Sequence, residues 1–250
     1  MNQSRIGFIL MIMFYSLVSR LDMPLSFSQS IEETTNEETT KNPASLEGNR
    51  IEMHNTGDLF KRIDASYKAL DDYRCTLLSQ KEDNDEERMV YFFKKPKQIR
   101  MELITPHKGT IVTYKSDDPL VYVSPFRWFR RLVLSFRLDN PLVMSSNGHH
   151  VDESDMGSFI EMILRPAVIN GEATILDANP GSPDSYLINI DFKEETKGRP
   201  DKFMVWVDKR LLLPVRIDSY YHDGRLMESV TFKDLIVNSG LLDEMFRLKK

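Results

Sequence analysis

The chain has 250 residues, with 33 basic and 38 acidic side chains and a formal charge of −5, which excludes the basic face that nucleic-acid binding requires. Its one cysteine, Cys75, rules out a disulfide framework within the chain and reads as a small buried apolar residue. Three basic and six acidic residues fall within positions 1–49, so 50–250 carries only about two of the five net negative charges; about 200 residues is a sensible size for one domain with a real core.

Arg5 precedes an uncharged apolar run from Ile6 to Val18. That run has the length of a signal-peptide core and is too short to cross a bilayer. Arg20 and Asp22 follow it directly, against a retained anchor, and Ser26-Phe27-Ser28 offers a small-x-small cleavage site. No cysteine follows, so a lipoprotein is not expected. Residues 29–49 are rich in Glu, Thr and Asn and nearly free of large apolar groups, a composition that cannot offset its chain entropy by burial. The expected organisation is a signal peptide (1–28), a disordered acidic tether (29–49) and one folded domain (50–250), exported, soluble and periplasmic.

Over 57–71 the apolar positions Leu59, Phe60, Ile63, Tyr67 and Leu70 recur at offsets of three and four and predict a helix, with Asp58 in its first turn. Strands are predicted at Tyr73–Ser79, at Met89–Phe93 and at Gln98–Ile104, where Ile99, Met101 and Leu103 share one face. Thr110–Tyr114 and Leu120–Val123 follow, separated by the turn sequence Ser116-Asp117-Asp118-Pro119. Residues 126–136 mix four aromatics with Arg127, Arg130 and Arg131, which suits either lipid head groups or a solvated helix face. A second helix is predicted over Asp155–Leu164, with Ser154 at its N-cap and Pro166 beyond its end. Alternation at 186–192, 203–207 and 215–218, then Asp223-Gly224 as a hairpin turn before Leu226–Phe232, predicts further antiparallel strands. Six or more such strands with two or three helices give an α+β domain: one curved sheet with helices over its open face.

No nucleophile elbow, phosphate loop, dinucleotide fingerprint, paired-histidine helix or cysteine cluster is present. His149 and His150 point apart on an extended chain and make a poor metal pair; Asp152, Glu153 and Asp155 suit the start of a helix. No cofactor, metal or catalytic residue is predicted.

The order of motifs resembles the LolA-like superfamily of periplasmic lipoprotein carriers and their relatives. It is carried by the amphipathic helix leading into Tyr73–Leu77, by the strand, basic-proline turn and strand of 89–104, by the aromatic hairpin 112–126 with Tyr122-Val123-Ser124-Pro125, and by the run 205–246. That run holds Asp208, Leu213-Pro214, Asp223-Gly224, Asn238 and Leu242-Asp243-Glu244-Met245-Phe246. The middle, with Leu138-Asp139-Asn140-Pro141-Leu142, Asn147-Gly148-His149-His150-Val151 and then Gly157, is similar to an uncharacterised bacterial family within that superfamily. The resemblance implies a half-open antiparallel barrel with helices as a lid and an apolar interior for acyl chains. It also implies a lid-controlling arginine in the basic-proline turn. Lys95 holds that place here and is expected at the cavity mouth; lysine lacks the bidentate fork, so the lid contacts do not carry over.

Met89–Phe93 and Phe203–Val207 carry large apolar groups on both faces, so either helices pack deeply or the concavity is open. The expected lining is Tyr91, Phe93, Ile99, Met101, Leu103, Tyr122, Phe203 and Val205, and 13 methionines suit an adaptable pocket. The expected partner is a lipid or the acyl chain of a lipoprotein, with an envelope protein and transient membrane contact as further expectations. The competing reading is a regulatory interaction protein of the envelope, of the type that senses lipids or misfolded proteins beside an anti-sigma factor.

Overall fold

Helix α1 (Thr56–Lys68) buries Leu59, Phe60 and Ile63 and leaves its polar stripe in solvent, where Asp58 pairs with Lys61 and Asp64 with Lys68. It is the first element of a computed structural model that describes residues 56–81, 86–125, 132–144, 150–176, 184–193 and 200–248. The expected signal peptide, the acidic tether, the three arginines of 127–131 and His149 lie outside the described residues.

Among the described residues eleven strands follow: β1 (Asp72–Lys81), β2 (Glu86–Lys94), β3 (Gln98–Thr105), β4 (Ile111–Lys115), β5 (Asp118–Ser124), β6 (Leu134–Arg137), β7 (Ala173–Leu176), β8 (Ser185–Asp191), β9 (Lys202–Asp208), β10 (Pro214–Tyr220) and β11 (Leu226–Val237). They form one sheet in the order β6-β5-β4-β3-β2-β1-β11-β10-β9-β8-β7. Every pairing is antiparallel. The sheet is therefore two meanders joined at β1 and β11, with β6 and β7 at opposite edges. Register shifts in β1/β11, β2/β3, β4/β5, β9/β10 and β10/β11 bend it. Asp223-Gly224 turns β10 into β11, with Gly224 at φ 84°. The curved, open, helix-covered sheet is the α+β architecture expected from the alternating strands.

A 3-10 turn at Val151–Glu153 leads into α2, residues 156–169, built from α-helical Met156–Phe159, a π-helical turn at Ile160–Leu164 and α-helical Arg165–Ile169. Two expectations change here. Asp155, not Ser154, is the N-cap, its carboxylate accepting from the backbone N–H groups of Gly157 and Ser158. The helix also continues through Pro166, because the π turn shifts the hydrogen-bond register just ahead of a residue that has no N–H to give. The short strands β6 and β7 were not anticipated; four residues are too few to display an alternation.

The concave face holds one continuous apolar core with α1 and α2. The convex face of β2 is covered separately. After β11 the chain crosses it, and Leu241, Met245 and Phe246 of the closing segment, including a 3-10 turn at Asp243–Phe246, pack on Val90 and Phe92. Asp72 anchors that segment: its carboxylate accepts from the N–H groups of Ser239, Gly240 and Leu241 and from the Ser239 hydroxyl. Burial would raise its pKa, but these hydrogen bonds outweigh burial and hold it below the usual carboxylate value.

Candidate functional site

Cross-strand pairing fixes which side chains share the concave face. Tyr91 stands opposite Met101, Phe93 opposite Ile99, and Met89 opposite Leu103. Across the seam, Val205 faces Ile217 and Phe203 faces Ser219. Seven of the eight expected lining residues, Tyr91, Phe93, Ile99, Met101, Leu103, Phe203 and Val205, thus lie on one face and in one core, all nearly inaccessible to solvent. Tyr122 does not join them. Val121 and Val123 take the inward positions of β5, and Tyr122 turns to the convex face, where its hydroxyl donates to Asp118 at 2.8 Å. A shift of one residue exchanges the two faces of a strand, and β5 is where the expected register slipped.

The helices fill the hollow. Phe159 of α2 meets Phe203 edge to face at 6.2 Å, and Tyr73 stacks on Phe93 at 5.1 Å. Two open depressions, of about 430 and 590 Å³, lie elsewhere: one between Lys115, Tyr122 and Arg247, the other along Leu78, Trp206, Arg216 and Thr231. Of the apolar groups on both faces of β2 and β9, the outer set is accounted for without a ligand: Val90 and Phe92 lie under the closing segment, and the Arg216 guanidinium lies over Trp206 at 4.6 Å.

The cover is fastened by polar groups, most of which the sequence marked for other roles, Lys97 and Ser158 excepted. Lys95 sits where the resemblance places the lid-controlling residue, in the turn after β2, whose Lys95–Pro96 peptide is cis. Its ammonium donates to the carbonyls of Tyr67 (2.7 Å) and Lys68 (2.9 Å) at the end of α1 and lies over the Tyr67 ring at 4.8 Å. A lysine thus makes two contacts with α1 without a guanidinium fork, closing the C-terminus of a helix whose last carbonyls attract a cation. Burial lowers its pKa, opposed by Asp71.

Asp155 is the second fastening. Its buried carboxylate caps α2 and accepts from the Ser158 hydroxyl at 2.7 Å and from the Tyr67 hydroxyl of α1 at 3.0 Å. Lys97, the last residue of the turn, pairs with it at 3.1 Å and donates to the Asp152 carbonyl at 2.8 Å. From the sheet, the Tyr73 hydroxyl accepts from the Met156 N–H and the Tyr91 hydroxyl meets the Ser154 hydroxyl at 3.0 Å. Burial raises the tyrosines' pKa values, and nearby negative charge adds to it for Tyr67. Gly157 is required in this cluster, since a Cβ there would stand 2.1 Å from the Tyr67 hydroxyl oxygen. Asp155 was legible as an acidic residue at a helix start, with the cap expected at Ser154; its link to Tyr67, 88 residues away, was not legible.

Among the described residues no group of three or more His, Cys, Asp or Glu could hold a metal ion, and no helix is long and apolar enough to cross a membrane. His150 spends its backbone N–H on Glu153.

Fold and site together define an open antiparallel half-barrel with a helical cover fastened at one rim. No family model matches the chain, and no curated relative does. Solved structures similar to it include a conserved protein of Thermus thermophilus (8% identity, TM-score 0.48, 79% of this chain and 96% of that one). They also include a LolA superfamily protein of Nitrosomonas europaea (12%, 0.35, 78% and 98%) and the MucA/MucB complex of Pseudomonas aeruginosa (11%, 0.45, 78% and 62%).

Proposed function

We propose that the protein is a non-catalytic binding module of the cell envelope that carries or senses a lipid acyl chain between its sheet and its two helices. The observation that supports this most is the character of the fastening. Beside the apolar packing of Ile63, Phe159, Ile160 and Leu164 on the sheet, α1 and α2 meet the rim through a carboxylate, two lysines and three tyrosine hydroxyls. Such groups lose little when water replaces their partners, so the cover can lift without exposing charge to an apolar medium. Behind it stand Tyr91, Phe93, Ile99, Met101, Leu103, Phe203 and Val205. An acyl chain of roughly 14 carbons seated there would gain several kcal/mol at about 25 cal/mol per Å².

The test is an environment-sensitive fluorescent fatty acid and its displacement by unlabelled lipid. Binding should be saturable and should weaken about tenfold or more in Met101→Asp and Phe203→Asp chains that remain folded. Binding that is absent, or unchanged in both variants, overturns the proposal. Lys95→Leu should alter the rate of ligand release by stopped flow while the far-UV spectrum stays unchanged.

A further inference from the structure

At the end of the concave face farthest from Lys95, the apolar lining gives way to a polar row. Ser79 of β1 stands opposite Glu87 of β2, Lys81 of β1 opposite Glu228 of β11, and Glu228 opposite Ser219 of β10. All of these occupy inward positions, with Phe203 next in line on β9. Glu228 is 1% exposed. One of its carboxyl oxygens accepts from the Ser79 hydroxyl; the other is buried and has no hydrogen-bond partner among the described residues. Its neighbours have other commitments. The Lys81 ammonium is 3.1 Å from Glu87, and the Ser219 hydroxyl donates to Glu228's own backbone carbonyl.

Leaving a buried carboxyl half-satisfied at the floor of an apolar hollow is costly unless something arrives to meet it. We propose that this row seats the polar end of the hollow's ligand, and that the ligand is an amphiphile ending in a cationic hydrogen-bond donor, an alkylammonium rather than a free carboxylate. This rests on the reading of the hollow as an acyl site. The charge balance favours it. With Glu228 ionised, two carboxylates face one lysine among the described residues, so an ammonium neutralises the row and a carboxylate head would deepen its negative charge. Burial pushes the Glu228 carboxyl up to about 8, with Glu87 adding to the rise and the Ser79 hydrogen bond and Lys81 opposing it. Near neutral pH the group is therefore mostly protonated, and an arriving ammonium, which keeps its own proton, expels the carboxyl proton to solvent.

The experiment uses the whole chain at about pH 7 and measures displacement of a neutral environment-sensitive probe by tetradecylamine, tetradecanol and tetradecanoate. The amine should displace the probe at a concentration about tenfold or more below the carboxylate. In Glu228→Gln, which keeps shape and the Ser79 contact, that gap should close while the alcohol is unaffected. Calorimetry of the native chain in two buffers of different ionisation enthalpy should read close to one proton released per amine bound and none per alcohol. Equal displacement, preference for the carboxylate, a gap that survives Glu228→Gln, or the absence of proton release each overturns this inference and leaves the hollow as an acyl site. Failure of all three compounds to displace the probe removes that reading too.

Discussion

Glu228 ties stability to pH in a direction opposite to that of most carboxylates. Its pKa rises from 4.5 to about 8 on folding because burial disfavours the charge. The native chain therefore holds a proton that the unfolded chain releases, and stability falls as pH climbs from about 4.5 towards 8. Glu228→Gln should flatten that part of the curve and melt higher than the parent at about pH 8.5, measured by thermal unfolding across pH. A variant with an unchanged pH slope would show that the buried carboxyl does not titrate in this range. Gly157 makes the other prediction at this scale. Gly157→Ala sets a methyl against the Tyr67 ring, whose hydroxyl is held by Asp155 and whose face is held by Lys95. The fold should survive with a loss of about 1–3 kcal/mol, and hydrogen exchange should accelerate in α1 and the start of α2 ahead of the sheet. Gly157 stood out in the sequence only as part of the pattern shared with the uncharacterised family, and Glu228 not at all. Glu228 sits in a strand that alternates normally, and its isolation depends on strands 149 positions apart in the chain coming together.

Elements reveal why some of the architecture was legible and some was not. The periodicity of α1 and the alternation of β3, β8 and β9 identify buried faces directly, because a helical stripe and a pleat are local properties. The apolar groups on both sides of β2 were equally visible, but they do not by themselves require an open hollow, since the segment after β11 covers the outer set. Nothing local announces that a segment more than 140 residues downstream will lie across β2. Asp72 fixes it there, and Asp72→Ala should cost about 2 kcal/mol by stranding the Leu241 N–H and loosening two neighbours. Chemical denaturation measures the loss. Limited proteolysis of the variant should cut first within 239–248; cleavage elsewhere first would mean that another contact secures the segment. The lowered pKa of Asp72 makes this anchor fail in acid, with its contribution present above the unfolded carboxylate pKa and lost as pH falls below it.

At the scale of the whole molecule, the expected division of the chain at residue 50 remains to be tried. A chain beginning at Arg50 should melt within about 3 °C of one beginning at Gln29, since the intervening segment carries almost no apolar surface to bury. A larger drop would place part of that segment against the domain. The sheet was legible as a kind, curved and antiparallel with helices over one face, because the sum of its strands and hairpin turns allows little else. Its strand order was not, because order depends on which non-consecutive strands meet, and here one such meeting decides everything.

That meeting is the seam between β1 and β11, which pairs Tyr73 with Val237 at the middle of the sheet. Each half of the molecule is a meander whose strands are joined by connections of two to ten residues, short enough for hairpins to form within microseconds. The seam closes over about 160 residues and must await both halves. As the chain emerges from the ribosome, β1 therefore displays an open hydrogen-bonding edge, and half of the eventual hollow, until the last strand is made. For that interval the nascent protein is a sheet without its other wall, with the edge of β1 and the outer face of β2 uncovered, and this is the window in which a holding chaperone would have the most surface to grip.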